Sequence, residues 1–255
     1  MAKKVIVIVC ICFTLLFSAG LFGFPVSAQK TSTNTGIVVP LYTYPTDSSW
    51  ASLIRIKQNY PSVPIIAIIN PDNGAGSSKD PNYVTGIKQL QVAGITVLGY
   101  VYTNYGSRNV KPIETEMSDY KNWYGVNGIF FDEMSSTGNT LAYYSRLATF
   151  AKSINLGLTM GNPGTSVSSN LVGVFSNLCI YENPGMPSMN QIDSYASYGR
   201  GFSYIAYGVG NMPSQPTVRG TANYVAYLYI TNLGGSNPYN GLPAYIAIEA
   251  ATLAS

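Results

Sequence analysis

Two adjacent carboxylates, Asp132 and Glu133, close the most apolar short run of this sequence, GIFFDEMSSTG at residues 128–138. Phe130 and Phe131 stand just ahead of them and would keep water away. A carboxyl held against an apolar wall prefers its neutral form, and a neighbouring carboxylate raises its pKa further. One acid kept protonated beside one kept ionised is the equipment needed to break a glycosidic bond. The pair also has a plain structural use, in which Asp132 caps the following turn and Glu133 pairs with a nearby Lys or Arg. A third acid, Glu182, ends the apolar run FSNLCIYE at 175–182 and is followed by Asn183-Pro184-Gly185. It is either a partner of the first two or a loop carboxylate in solvent.

Composition removes most competing chemistry. The chain has 255 residues, 10% of them charged, and no histidine at all, so His-ligated zinc and every Ser-His or Cys-His arrangement are excluded. Proton transfer has to come from carboxylates, Tyr or Lys. No cofactor or metal is expected, and no basic patch argues for nucleic acid. Tyr is abundant at 21 residues, and Asn, Ser and Gly fill the polar stretches, a surface suited to sugars.

The N-terminus has the layout of a secretory signal. Lys3 and Lys4 precede an uncharged stretch from Val5 to Phe24, then Val26-Ser27-Ala28, a small-x-small cleavage site. The alternative is a retained membrane anchor, since the run is close to spanning length. Cleavage after residue 28 removes Cys10 and Cys12 and leaves Cys179, too few for a disulfide framework. It also leaves 12 basic residues against 11 acidic ones. Residues 29–36 (QKTSTNTG) read as a flexible lead-in, and 37–255 as one domain of a secreted, monomeric protein.

Positioning the acids is the task of eight short apolar runs, most of them continuous, as expected for strands buried on both faces of a parallel sheet. They are 36–42, 64–70, 95–103, 128–132, 156–162, 175–182, 202–207 and 244–249. Helical patterns fall between them. Ser48–Asn59 follows the N-cap Asp47. Tyr83–Ala93 ends at Gly94, Ile113–Tyr124 follows Pro112, and Leu141–Ile154 follows Thr140. Gln191–Tyr198 and Ala222–Tyr229 are weaker helices. Eight such units in one domain predict an α/β fold, a (β/α)8 TIM barrel, over an open doubly wound sheet, because no Gly-rich phosphate loop follows the first strand.

In a barrel the C-terminal strand ends line one mouth. That places Asp132, Glu133 and Glu182 there, with Tyr42, Asn70, Tyr100, Asn162 and Tyr207 around them as expected sugar-binding residues. Asn73 in the loop NPDNGAGSSKDPNY (70–83) and Tyr105 in TNYGSRN (103–109) join that set. Glu249 is a weaker fourth acid, since closing the barrel could itself demand a polar residue.

The motifs GIVVPLYTYP (36–45), IINPDNGAG (68–76), the run from Pro81 to Arg108, WYGVNGIFFDEMS (123–135) and GNPGT (161–165) resemble, in order, those of the spherulin-4 (spherulation-specific) family, glycoside hydrolase family 135. The likeness spans most of residues 36–185 and is looser after Glu182. It implies a (β/α)8 barrel that cleaves α-1,4-linked amino-sugar polymers, inside N-acetylgalactosamine stretches of galactosaminogalactan in the best-understood members. It implies Asp132, Glu133 and Glu182 as the catalytic set, although members can carry Asp at the last position. Either Glu133 or Glu182 would be the general acid, with Asp132 ionised. The contrasting reading is a non-catalytic carbohydrate-binding or cell-surface protein on the same barrel.

Overall fold

The computed structural model describes residues 35–255. The expected signal segment, 1–28, and residues 29–34 of the lead-in lie outside the described residues. The last two lead-in positions are part of the barrel instead: Thr35 is buried, its Oγ1 donating to the Ala222 carbonyl at 2.7 Å, and Gly36 opens the first strand. Among the described residues no helix is long and apolar enough to cross a membrane.

Eight parallel strands close into a barrel in chain order. They are β1 (Gly36–Pro40), β2 (Ile65–Ile69), β3 (Thr96–Tyr102), β4 (Gly128–Asp132), β5 (Leu158–Gly161), β6 (Asn177–Pro184), β7 (Phe202–Tyr207) and β8 (Tyr227–Ile230). The helices are α1 (Ser48–Asn59), α2 (Pro81–Val92), α3 (Val110–Asp119), α4 (Leu141–Ser153), α5 (Met189–Asp193), α6 (Gln215–Ala222) and α7 (Ile246–Ala254). Between β5 and β6 a single 3-10 turn, Ser169–Leu171, takes the place of a helix. The continuous apolar runs have their expected cause: every residue of β2, IIAII, is buried, one face against the barrel interior and the other against helices. Each isoleucine there contributes roughly 1.5–3 kcal/mol by its burial. At Gly128 the β4 backbone passes so close to β5 that a Cβ would lie 1.8 Å from the Leu158 carbonyl oxygen.

Capping fixes the helices and, at the mouth, ties loops together. Asp47 accepts from Ser49 N at 2.8 Å, starting α1. Asp80 accepts from Asn82 N at 2.7 Å, starting α2 ahead of Pro81. The same carboxylate accepts from the Tyr44 hydroxyl at 2.9 Å, and Asn82 Nδ2 donates back to Tyr44 at 2.8 Å. The loops after β1 and β2 are thus latched to each other.

The end of the chain departs from expectation. AYIAIE (244–249) runs into α7 from Ile246 onward, and the eighth strand is Tyr227–Ile230, overlapping the end of the stretch expected as a helix from Ala222 to Tyr229. A short apolar run does not fix its own period. Burial at Ile246, Glu249 and Ala250 follows helical spacing, and α6 begins earlier, at the Ser214 cap and Pro216. The weak helix at Gln191–Tyr198 is α5 followed by a 3-10 turn, Ala196–Tyr198. Glu249 is therefore no strand-end acid. It is fully buried, and its Oε1 accepts from the backbone N–H of Ile230 at 3.2 Å. β8 registers with β1 at Gly36↔Tyr227 and Ile37↔Leu228, and Glu249 completes the strand beyond that seam.

Burial pushes the Glu249 carboxyl well above the usual glutamate range. A raised folded-state pKa contributes stability below the unfolded value that is lost as pH climbs toward the folded one. Glu249→Gln is therefore expected to flatten the fall in melting temperature above about pH 5, a difference that thermal scans across pH would read directly.

Candidate active site

Three consecutive strand ends meet on one side chain. Asn162, just past β5, directs its Nδ2 to Asp132 Oδ1 at 2.8 Å and to Glu182 Oε2. An amide nitrogen carries two hydrogens, and here each has its own carboxylate. Its Oδ1 accepts from Gly164 N at 3.1 Å, so the side chain is locked at both ends. Since each acid oxygen lies within about 3 Å of the same nitrogen, the two carboxylates approach to within about 6 Å.

Strand geometry explains the aim of each acid. Tyr102 pairs with Asp132, and Tyr100, two residues earlier, packs its ring on Phe130 with centroids 6.3 Å apart, so Phe130 and Asp132 share the interior face by alternation. Phe131 points away and stacks on Phe175 at 4.5 Å. β6 needs a correction to do the same. Cys179 and Glu182 are three residues apart, yet the buried Cys179 thiol lies close enough to feel the Glu182 and Asp132 charges, which strict alternation does not favour. A register shift between Cys179 and Tyr181 supplies the extra residue and turns Glu182 inward, while the Tyr181 hydroxyl donates to the Gly185 carbonyl at 2.9 Å.

Glu133 leaves the strand in the left-handed region, φ +49°, a conformation uncommon outside glycine. Its carbonyl accepts from Tyr105 N at 2.7 Å and Thr103 Oγ1 at 2.8 Å, which holds the turn. Its own N–H faces the Asp132 carboxylate. Glu133 thus sits half-buried beside the pair without joining the Asn162 bridge.

The electrostatics fit two half-buried acids set close together. Burial raises the Asp132 pKa, opposed by the Glu133 N–H, the Asn162 amide and the Tyr100 hydroxyl, all of which favour its charged form. Burial also raises Glu182, and there the Asp132 charge raises it again. The pair loses its first proton mainly from Asp132 and keeps the second mainly on Glu182.

The expected sugar-binding residues divide into groups. Tyr42 and Tyr100 stand over the acids with ring centroids 5.8 Å apart, and both phenols are pushed up by burial and by the Asp132 and Glu182 charges. Tyr207 ends β7 half-buried. Asn162 belongs to the acid bridge. Asn70 Oδ1 accepts from Gly74 N at 2.9 Å and so closes its own loop, in which Asn73 is exposed at φ +45°. Tyr105 is 65% exposed at φ +53°, on the rim rather than over the acids. Arg108 is engaged, paired with Glu116 at 2.5 Å and lying 3.9 Å over the Tyr102 ring.

One residue went unseen in the sequence. Tyr239, on the connection after β8, donates its hydroxyl to Glu182 Oε1 and meets the Tyr42 ring edge-on at 5.6 Å. The signal was an aromatic residue in a Gly- and Asn-rich loop, SNPYNGLP. Placing the eighth strand at 244–249 put that loop before the strand, at the wrong end of the barrel. Among the described residues no cluster of acids and Cys is arranged to hold a metal ion.

The sequence profile of Spherulation-specific family 4 matches residues 36–252. The chain belongs to this family. Spherulin-4 of Physarum polycephalum is 32% identical over 236 residues, covering 85% of this chain and 69% of that protein. The crystal structure of Aspergillus clavatus Sph3 in complex with GalNAc superposes with a TM-score of 0.77 at 24% identity, over 87% of this chain and 98% of that one. A GH18 chitinase from Pseudoalteromonas aurantia gives 0.59 at 13% identity, over 86% and 100%. At these identities the two structures speak to the barrel. In this spherulin-4 family chain the matched span runs across all three acids, Asn162 and Tyr239.

A charged Glu182 burdens the fold at neutral pH, because a raised pKa means that ionisation costs stability. The neutral Glu182→Gln side chain can still accept from Asn162 and donate to Tyr239. It is expected to raise the melting temperature at pH 7–8 by about 2–4 °C, the gain common when an active-site strain is removed. Calorimetry at pH 7–8 checks this, and a lower melting temperature would contradict it.

Proposed function

We propose that this chain is a secreted glycoside hydrolase that cleaves within α-1,4-linked, N-acetylgalactosamine-containing polysaccharide by carboxylate acid–base chemistry. The observation that carries the reading is the Asp132–Asn162–Glu182 bridge, which sets two acids of unequal proton affinity side by side at the barrel mouth. The membership of the family and the sugar named with the Sph3 structure support the substrate class. Residues 1–28 would carry the chain out of the cell as a signal segment, and the enzyme would act as a monomer.

In this mechanism Glu182 holds the proton and gives it to the glycosidic oxygen. Asp132, whose charged form its three donors favour against burial, faces the positive charge that develops at the anomeric carbon. Two acids joined through one amide nitrogen stand close enough for both to reach a single glycosidic bond. Asp132 then either attacks the anomeric carbon or orients a substrate N-acetyl group that does. Glu133, half-buried beside the pair, meets the sugar from the rim side. Tyr42 and Tyr100 offer ring faces to sugar C–H groups. Two adjacent acids with raised proton affinities at the barrel mouth support the hydrolase over a barrel that only binds carbohydrate.

Asp132→Asn is expected to lower kcat/KM by at least about 10³-fold while the protein melts within a few degrees of the parent. The assay reads reducing ends and oligosaccharide masses from an α-1,4-linked N-acetylgalactosamine polymer. Polymer retained by the parent chain without any release would favour the binding protein instead. The rate of the parent should trace a bell against pH. Its acid limb follows Asp132 ionisation and its alkaline limb follows Glu182 deprotonation, both raised from their ordinary values by burial.

A further inference from the structure

Glu182 has two hydrogen-bond partners of different kinds. Asn162 Nδ2 can only donate, whereas the Tyr239 hydroxyl can donate or accept. A general acid passes through both protonation states in every turnover. When Glu182 is ionised, Tyr239 donates to Oε1. When Oε1 carries the proton, the same hydroxyl can turn and accept it. Tyr239 is nearly buried, at 8% exposure, and its ring meets the edge of Tyr42, which in turn meets Tyr100. Tyr100 faces Asp132. The acids are therefore joined twice, through Asn162 on one side and through three tyrosines on the other.

We infer that Tyr239 is a positioning residue that keeps one oxygen of Glu182 bonded in both of its protonation states, and that Tyr42 seats it there. The inference rests on the reading of this site as a glycosidase for its consequence in turnover, but the coupling itself is a property of the folded chain. The groups facing Glu182 are Asp132 from β4, Cys179 from β6, Tyr100 from β3, Tyr42 after β1 and Tyr239 after β8.

The test is a pH titration of glutamate side chains carrying ¹³C at the carboxyl, with Glu182→Gln used to assign the Glu182 signal. Tyr239→Phe keeps the ring and its contact with Tyr42 and removes only the hydroxyl. The bond to the charged form is the stronger of the two, so losing both should raise the Glu182 midpoint by about one pH unit. On polymer, kcat is expected to fall about tenfold with KM little changed, and the alkaline limb should move up with the midpoint. Tyr42→Leu keeps the hydroxyl but removes its seat, and should move the midpoint the same way by less. A Glu182 midpoint unmoved in both variants overturns the inference. So does a rise in KM alone, which would make Tyr239 a sugar contact. If the parent cleaves no polymer, the function reading fails, and the titration still decides the role of Tyr239.

Discussion

The bond from the Asn162 amide to two carboxylates is the constraint around which the mouth of this barrel is arranged. Two acids this close in a poorly hydrated place repel when both are charged. A neutral donor between them lowers that repulsion without cancelling it, as a Lys or Arg would. The acids therefore stay near each other and stay unequal. Asn162 holds this post because its oxygen is tied to Gly164 N and the side chain has no other place to turn.

The rest of the barrel supplies aim. β4 delivers Asp132 by ordinary alternation, with Phe130 below it, whereas β6 requires one extra residue to present Glu182. Glu133 turns out of its strand at a positive φ, and the carbonyl so exposed is held from the neighbouring loop by Thr103 and Tyr105. Positive φ outside glycine gathers on the loops after β2, β3 and β4, at Asn73, Asn104, Tyr105 and Glu133, consistent with the tendency of strained backbone to gather where function places side chains.

The order of apolar runs, the lack of histidine and the acid pair after GIFF made the barrel and two of its acids legible. What escaped was governed by long-range geometry. AYIAIE has the composition of a strand, and only the burial of Ile246, Glu249 and Ala250 on one face shows it as a helix. That exchange hid Tyr239. Asn162 was legible as a polar residue at a strand end, but its employment by the acids rather than by sugar depends on side chains 20 and 30 residues away. The parity change in β6 leaves no mark in FSNLCIYE, because the residues on both sides of it are apolar.

The tyrosine pair 42 and 239 has a position in the topology as well as in the site. Tyr42 follows the first strand and Tyr239 the last, so their contact crosses the seam where the chain closes on itself. At that seam the strands register low down, at Gly36↔Tyr227 and Ile37↔Leu228. The loop that carries Tyr239 is laced to the loop after β7, through Gly208 N to Leu233 O at 2.7 Å and Val209 N to Thr231 O at 2.9 Å. The loop after β1 is latched to the one after β2 instead. The mouth is thus two jaws that meet at one aromatic edge. A chain that parts at its seam therefore loosens Tyr239 from Glu182 while the Asn162 bridge and most of the strands are still paired.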